Sequence, residues 1–334
     1  PAKIEIYPSK PMYLLCSMQL KIGKDLMLAY RLLVDGQAIA IPTETVYGLA
    51  ANVYDEKAIA QVFEIKQRPK FDPLIVHCAN LADARGVAKE IPTELEKLAE
   101  KFWPGPLTIV VEKNKEIPDL VTAGKDTVAI RVPNHPLTLD LLYGLPFPVA
   151  APSANPFSYV SPTNPFHVLK QLGDKIEYIL DGDDCQIGLE STIIRFKNDR
   201  IEILRLGGLA KETIEAETDK DVVVLTDGDK EQAPGSFDKH YSNNKALVLL
   251  QNANEFPELK ANEAAIYFKK PNITKENIYY LSESGDTKDA AKNLFRVLRE
   301  LDNEHINKVY IELAPTTGLG PAINERLKRA SVTE

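Results

Sequence analysis

Short apolar runs in the first two-thirds of this chain stop at polar turns rich in proline and hydroxyls, and that punctuation limits the fold most. Such clusters are Pro42-Thr43-Glu44-Thr45-Val46-Tyr47-Gly48-Leu49, Lys66-Gln67-Arg68-Pro69 and Ala151-Pro152-Ser153-Ala154-Asn155. Apolar runs this short, bounded by turn residues, read as strands. Strands alternate with helices early and pair as hairpins late, which predicts a mixed sheet in preference to a uniform βαβ array. Two hydroxyl-rich turns and a pair of cations at strand ends suit a triphosphate and a small zwitterion. Recognisable phosphate loops are missing: no GxxxxGK stretch occurs, and Gly318-Leu319-Gly320 lacks a third glycine.

At 334 residues the chain predicts two domains, since single cores stop growing near ~250–300 residues. Charged residues at 26% and hydrophobic residues at 44% fit a globular protein. No apolar run approaches the ~18 residues of a membrane span. The formal charge of −8 argues against direct nucleic-acid binding over a broad surface, which leaves a basic footprint. The three cysteines (Cys16, Cys78 and Cys185) and five histidines (His77, His135, His167, His240 and His305) show no metal-ligand spacing. Buried thiols in a reducing cytoplasm are the expected reading, with no protein-held metal. The first seventeen residues, ending at Ser17, carry no apolar core with a cleavage signal. They read as an extension, with Met18 an alternative start.

Along the chain, Ile22, Leu26, Ala29 and Leu33 predict a helix over 21–35, closed by Gly36. Residues 38–41 read as a strand, and 56–67 as a helix with Ile59, Val62 and Phe63 on one stripe. Lys66 falls on that stripe, either as a helix-end cation or as a functional one with Arg68. Both cations are expected to be removable without unfolding, because a charge at a helix exit contributes little stability. His77, in the strand 74–78, reads first as a packed side chain. A helix follows at 93–102, then strands at 107–112 and 127–132. Arg131 interrupts the apolar run Val128-Ala129-Ile130-Arg131-Val132, so it requires an anionic partner, an acidic side chain or a ligand carboxylate. Further strands are expected at 147–151, 176–180, 190–196 and 201–206, the last two joined as a hairpin at 197–200. Asp181-Gly182-Asp183-Asp184 reads as a solvated turn rather than a cation site. Residues 211–245 read as a linker or lid. The rest restarts as a smaller α/β domain with strands at 246–250, 264–268, 277–281 and 308–312 and helices at 287–301 and 320–330.

The ordered motifs Thr43-Glu44-Thr45-Val46-Tyr47-Gly48, Lys66-Gln67-Arg68-Pro69, Pro73-Leu74-Ile75-Val76-His77, Trp103-Pro104-Gly105-Pro106-Leu107-Thr108, Pro152-Ser153-Ala154-Asn155 and Glu190-Ser191-Thr192-Ile193-Ile194 resemble those of the YrdC-type family. Ala233-Pro234-Gly235, His240-Tyr241 and the segment Gly318 to Ile323 extend the likeness to its long two-domain form, the threonylcarbamoyl-AMP synthases. The resemblance implies a twisted mixed-sheet α/β domain with a cationic cavity (residues 20–210), after an extension (1–19). A linker or lid (211–245) and a smaller Rossmann-like α/β domain (246–334) would follow. It implies a nucleotidyltransferase that joins L-threonine, bicarbonate and ATP into threonylcarbamoyl-AMP and pyrophosphate. A separate tRNA threonylcarbamoyl-transferase complex would use the product to modify tRNA. By the same resemblance Thr45, His77, Arg131, Ala151 and Ser191 would contact threonine. Arg68, Asp72, Thr127, Ser153, Ser161 and Arg205 would contact ATP, joined by Lys66, Asn155, His240 and Tyr241. Lys66, Arg68 and Ser153 are the expected catalytic residues, and Mg2+ would accompany the nucleotide.

The residue types agree with that chemistry. A guanidinium forks onto a carboxylate, and phosphoryl-type transfer rests on positioning and electrostatic stabilisation. Two positions depart from the family pattern: Gln67, where a small residue is common, and Asp72, where asparagine often stands. An ionised Asp72 cannot donate to phosphate, so it would orient Arg68 or approach the metal. Two other classes compete, an RNA-binding module of the same fold and a carbamoyl-transfer enzyme acting on a different amine.

Overall fold

In the computed structural model, which describes residues 21–225, 245–273, 275–301 and 305–331, the first helix begins later than its apolar spacing predicts. Asp25 caps it, accepting from the Leu28 N–H at 3.0 Å, and the helix runs Leu26–Val34. Ile22 lies instead in a two-residue strand that pairs with Ile179. A local side-chain cap outweighed the period here.

Eleven strands form the first sheet: β1 (Ile22–Gly23), β2 (Ile39–Ile41), β3 (Gly48–Asn52), β4 (Ile75–His77), β5 (Leu107–Glu112), β6 (Thr127–Arg131), β7 (Val149–Ala150), β8 (Ile179–Leu180), β9 (Thr192–Lys197), β10 (Arg200–Arg205) and β11 (Val222–Val224). Their order is β1-β8-β2-β3-β7-β4-β6-β5-β9-β10-β11, with parallel and antiparallel pairs mixed, as expected. The β9–β10 hairpin turns through Asn198 and Asp199, at φ 54° and 58°. These two residue types tolerate the left-handed conformation that a tight hairpin demands. The helix Lys211–Glu215 and β11, which pairs in parallel with β10, continue the first sheet into the segment read as linker.

The second sheet has four parallel strands, β12 (Ala246–Leu250), β13 (Glu263–Lys269), β14 (Ile278–Ser282) and β15 (Lys308–Glu312), in the order β12-β15-β13-β14. Helices Thr287–Glu300 and Gly320–Ser331 accompany it, close to the ranges the sequence predicts. Both domains meet at backbone distance. Gly188 has φ +75°, and a Cβ there would lie 2.7 Å from the backbone of Lys292. Val46, Val160 and Leu189 of the first domain belong to one apolar core with Leu294, Phe295 and Ile323 of the second. Cys78 and Cys185 are buried, and burial pushes both thiols up. Among the described residues no helix is long and apolar enough to cross a membrane.

Candidate active site

The turn after β2 is organised by one hydroxyl. Thr43 Oγ1 accepts from the Thr45 and Val46 N–H groups at 3.1 and 3.2 Å and donates to the Val46 carbonyl at 2.7 Å. A threonine at a turn holds its own backbone in this way. The same segment is laced to the turn after β7. Leu49 N–H donates to the Pro152 carbonyl and Ala154 N–H to the Tyr47 carbonyl, each at 2.7 Å.

Lys66 ends the helix Glu56–Lys66 and is 1% exposed. Its ammonium donates to the Ser153 and Asn155 carbonyls, both at 2.5 Å. Burial, and then the Arg68 charge, pull its pKa well below the usual lysine range. Lys66 thus clamps the second turn from behind. Gln67 follows in the left-handed conformation, φ 53°, a role that any residue able to accept the strain can fill. Arg68 then reaches the cavity, and its Nη2 donates to the Pro73 carbonyl at 2.8 Å and meets Asp72 Oδ2 at 2.7 Å. Asp72 is fully buried against this guanidinium.

At the inner end, β4 and β6 run parallel with His77 beside Arg131 in register. Arg131 finds an acidic side chain: its Nη2 lies 2.7 Å from Glu44 Oε1, while its Nε donates to the Gly105 carbonyl at 3.1 Å. Glu44 also accepts from the Asn134 N–H at 2.9 Å. Burial, aided by the Arg131 charge, pushes His77 down to about 3. The imidazole is therefore neutral at ordinary pH.

From the neighbouring strands, Arg205 Nη2 donates to the Ser191 carbonyl at 2.9 Å and to its Oγ at 3.1 Å. Ser191 Oγ and Thr108 Oγ1 lie 2.7 Å apart. Gly207 lets the chain double back here, since a Cβ would lie 2.3 Å from the Glu190 carbonyl oxygen. Ser161 Oγ donates to Glu190 Oε1 at 2.7 Å.

Thr45, Arg68, His77, Arg131, Ala151, Ser153, Ser191 and Arg205 come together around one cavity of about 60 Å³, with Thr43, Pro73 and Glu190. Lys66, Asp72, Asn155 and Ser161 are buried and do not line it. Thr127 lines a separate groove of about 890 Å³, in which Pro73 is the common wall residue. His240 and Tyr241 lie outside the described residues. Asp183 pairs with Lys24 at 3.1 Å at an exposed turn, and among the described residues no His/Cys/Asp/Glu cluster could hold a metal ion. Sequence reasoning gave no role to Glu44 or Glu190, although both stand inside quoted motifs. The need of Arg131 for an anionic partner was the signal that could have found Glu44.

These features define a class: a mixed-sheet α/β protein with a hydroxyl-rich, arginine-lined cavity formed by the turns between its strands. The Sua5/YciO/YrdC family model, described as telomere recombination, matches residues 31–207. That of the threonylcarbamoyl-AMP synthase C-terminal domain matches residues 202–332. The chain belongs to the threonylcarbamoyl-AMP synthase family, in its two-domain form. It is 38% identical over 312 residues to the threonylcarbamoyl-AMP synthase of Pyrococcus abyssi, covering 89% of this chain and 91% of that one. The corresponding protein of Bacillus subtilis is 34% identical over 317 residues, 91% of this chain and 92% of that one. The crystal structure of P. abyssi Sua5 complexed with L-threonine superposes with a TM-score of 0.85 at 36% identity, covering 92% of this chain and 94% of that one.

Proposed function

We propose that this chain synthesises threonylcarbamoyl-AMP from L-threonine, bicarbonate and ATP, releasing pyrophosphate. The observation that carries the reading is one cavity that brings Arg131 and His77 together with Arg68, Ser153, Ser191 and Arg205. A threonine carboxylate meets the Arg131 guanidinium, which Glu44 holds in place. Neutral His77 and the Thr45 hydroxyl serve the amine and side chain without adding charge. The amine adds to bicarbonate with loss of water, forming an N–C bond and leaving an N-carboxylate. That carboxylate attacks the α-phosphorus of ATP, and the bond to pyrophosphate breaks. Arg68 and Arg205 stabilise the charge that builds on the phosphate oxygens, with Ser153 as a neutral donor, while the Ser191 hydroxyl serves threonine. The groove beyond Pro73, with Thr127 on its wall, is where the nucleoside would extend.

The acidic side chains around the cavity are committed to arginines: Glu44 to Arg131, Asp72 to Arg68 and Glu190 to Arg326. This donor set does not fit a protein-held Mg2+, and no step is routed through one. The product is a reactive mixed anhydride, suited to direct use by a tRNA threonylcarbamoyl-transferase, and we place the reaction in the cytoplasm. Pyrophosphate release from ATP, measured with and without threonine and bicarbonate, tests the reading. Release that requires both supports it. Release with another amine in place of threonine assigns a related carbamoyl transfer, and no amine-dependent release refutes the proposal.

A further inference from the structure

Glu190 is an unexpected wall residue for a pocket that takes a triphosphate, because an uncompensated carboxylate there would repel it. Its compensation comes from the other domain. Arg326, on the helix Gly320–Ser331, is 1% exposed and directs Nη2 and Nε to Glu190 Oε2 at 3.0 and 3.2 Å. Its Nη1 donates to the Leu206 carbonyl at 2.6 Å, next to Arg205. The second Glu190 oxygen accepts from Ser161. The groups that face Glu190 are therefore Arg326, with Glu325 behind it at 3.3 Å, and Arg205 and Ser161. Burial alone would raise this carboxyl, but Arg326 and then Arg205 overcome that and hold it at about 2.

Packing points the same way. Val46, Val160 and Leu189 are the sequence neighbours of Thr45, Ser161 and Glu190, and all three are buried in the second domain's apolar core. Arg299 of that domain donates to the Val160 carbonyl. The turns that carry the site thus rest on the domain of the helices Thr287–Glu300 and Gly320–Ser331.

We infer that the C-terminal domain completes the nucleotide pocket through Arg326, a positioning residue that neutralises Glu190 and fixes the Ser161 hydroxyl. This rests on the ATP-binding reading above. The test is a double-mutant cycle on pyrophosphate release with R326M, E190Q and R326M/E190Q. In R326M the KM for ATP rises roughly tenfold or more, while kcat and the KM for threonine stay within about threefold. Without Arg326 the Glu190 carboxyl moves up, so acidification from neutrality neutralises it and lowers the ATP KM of R326M toward wild type. In the E190Q background the same substitution changes the ATP KM by no more than about threefold, and that pH dependence is gone.

R326M strands a buried carboxylate and risks unfolding, whereas the double variant carries no unpaired charge. If R326M does not fold, comparing the double variant with E190Q decides. An ATP KM raised tenfold between those two overturns the inference, as does an R326M enzyme with the wild-type ATP KM. A wild-type enzyme that releases no pyrophosphate with threonine refutes the proposed function instead.

Discussion

Two buried arginine–glutamate pairs brace the cavity, and they face it in opposite senses. In the Arg131–Glu44 pair both residues come from the first domain, and the arginine lines the cavity with its carboxylate behind it. In the Arg326–Glu190 pair the carboxylate lines the cavity, and the arginine reaches it from the second domain. The difference teaches how one fold prepares two kinds of anion site. On the proposed function, the amino-acid end presents a fork of positive charge to a ligand carboxylate. At the proposed phosphate end a negative charge is cancelled, which would leave Arg68 and Arg205 to act on the nucleotide. One pair is complete within the first domain, and the other depends on the docking of the second.

The comparison is most open to breaking at its strongest pair. Arg131→Met leaves Glu44 buried without its cation and should cost about 3–5 kcal/mol in urea unfolding. It should also abolish the thermal protection that threonine gives. A loss too small to measure would mean that the pair does not hold the inner end together.

Next comes Lys66, whose burial corrects the expectation that it can be removed without harm to the fold. Lys66→Met removes the ammonium from the Asn155 carbonyl and leaves the Ser153 carbonyl only the Asn155 N–H at 3.0 Å, and should cost about 2–3 kcal/mol of stability. Activity should fall with it, because the turn bearing Ser153 loosens. Unchanged stability would make the clamp unimportant and restore a direct role for the ammonium.

His77 sharpens the picture by pH. Its folded value, about 3, lies below its ordinary value of 6.5, so the unfolded chain binds the proton first. Stability therefore falls as pH drops below 6.5, by up to ~1.4 kcal/mol per pH unit from this group. Glu190, ordinarily at 4.5 and held at about 2, loses its contribution only as pH falls below 4.5. Urea midpoints for wild type and His77→Gln between these limits check the sign: the variant's slope should be flatter. A parallel slope would mean that His77 is not the group titrating.

Thr127→Val carries the smallest expected effect, a two- to fivefold rise in the KM for ATP from the loss of one exposed hydrogen bond. No change at all would remove the outer groove from the nucleotide's path.

Much of this was legible from order and spacing. The strand and helix ranges that apolar periodicity gave were met closely, and the second sheet, expected to be largely parallel, is parallel throughout. The strand Gly48–Asn52 and the helices Leu81–Val87, Pro136–Gly144 and Pro165–Leu172 were not foreseen. Arg131 in an apolar strand demanded an anion, and the structure supplies Glu44. What sequence could not give was direction. Lys66 and Arg68 stand two residues apart, yet the left-handed Gln67 between them turns one behind the wall and the other onto it. Arg326 was invisible, since it sits on a helix beside Ile323 and Leu327 and its partner lies in another domain. Ile22 fitted the helical period but lost to the Asp25 cap.

Calorimetric titration of threonine and of ATP onto R131K and R326M tests the two-ended account most directly. R131K keeps a cation for Glu44 but loses the planar fork. It should weaken threonine at least about tenfold and leave ATP within about threefold of wild type. R326M should do the reverse. Parallel weakening of both ligands in both variants would contradict the division of the cavity into two separately braced ends.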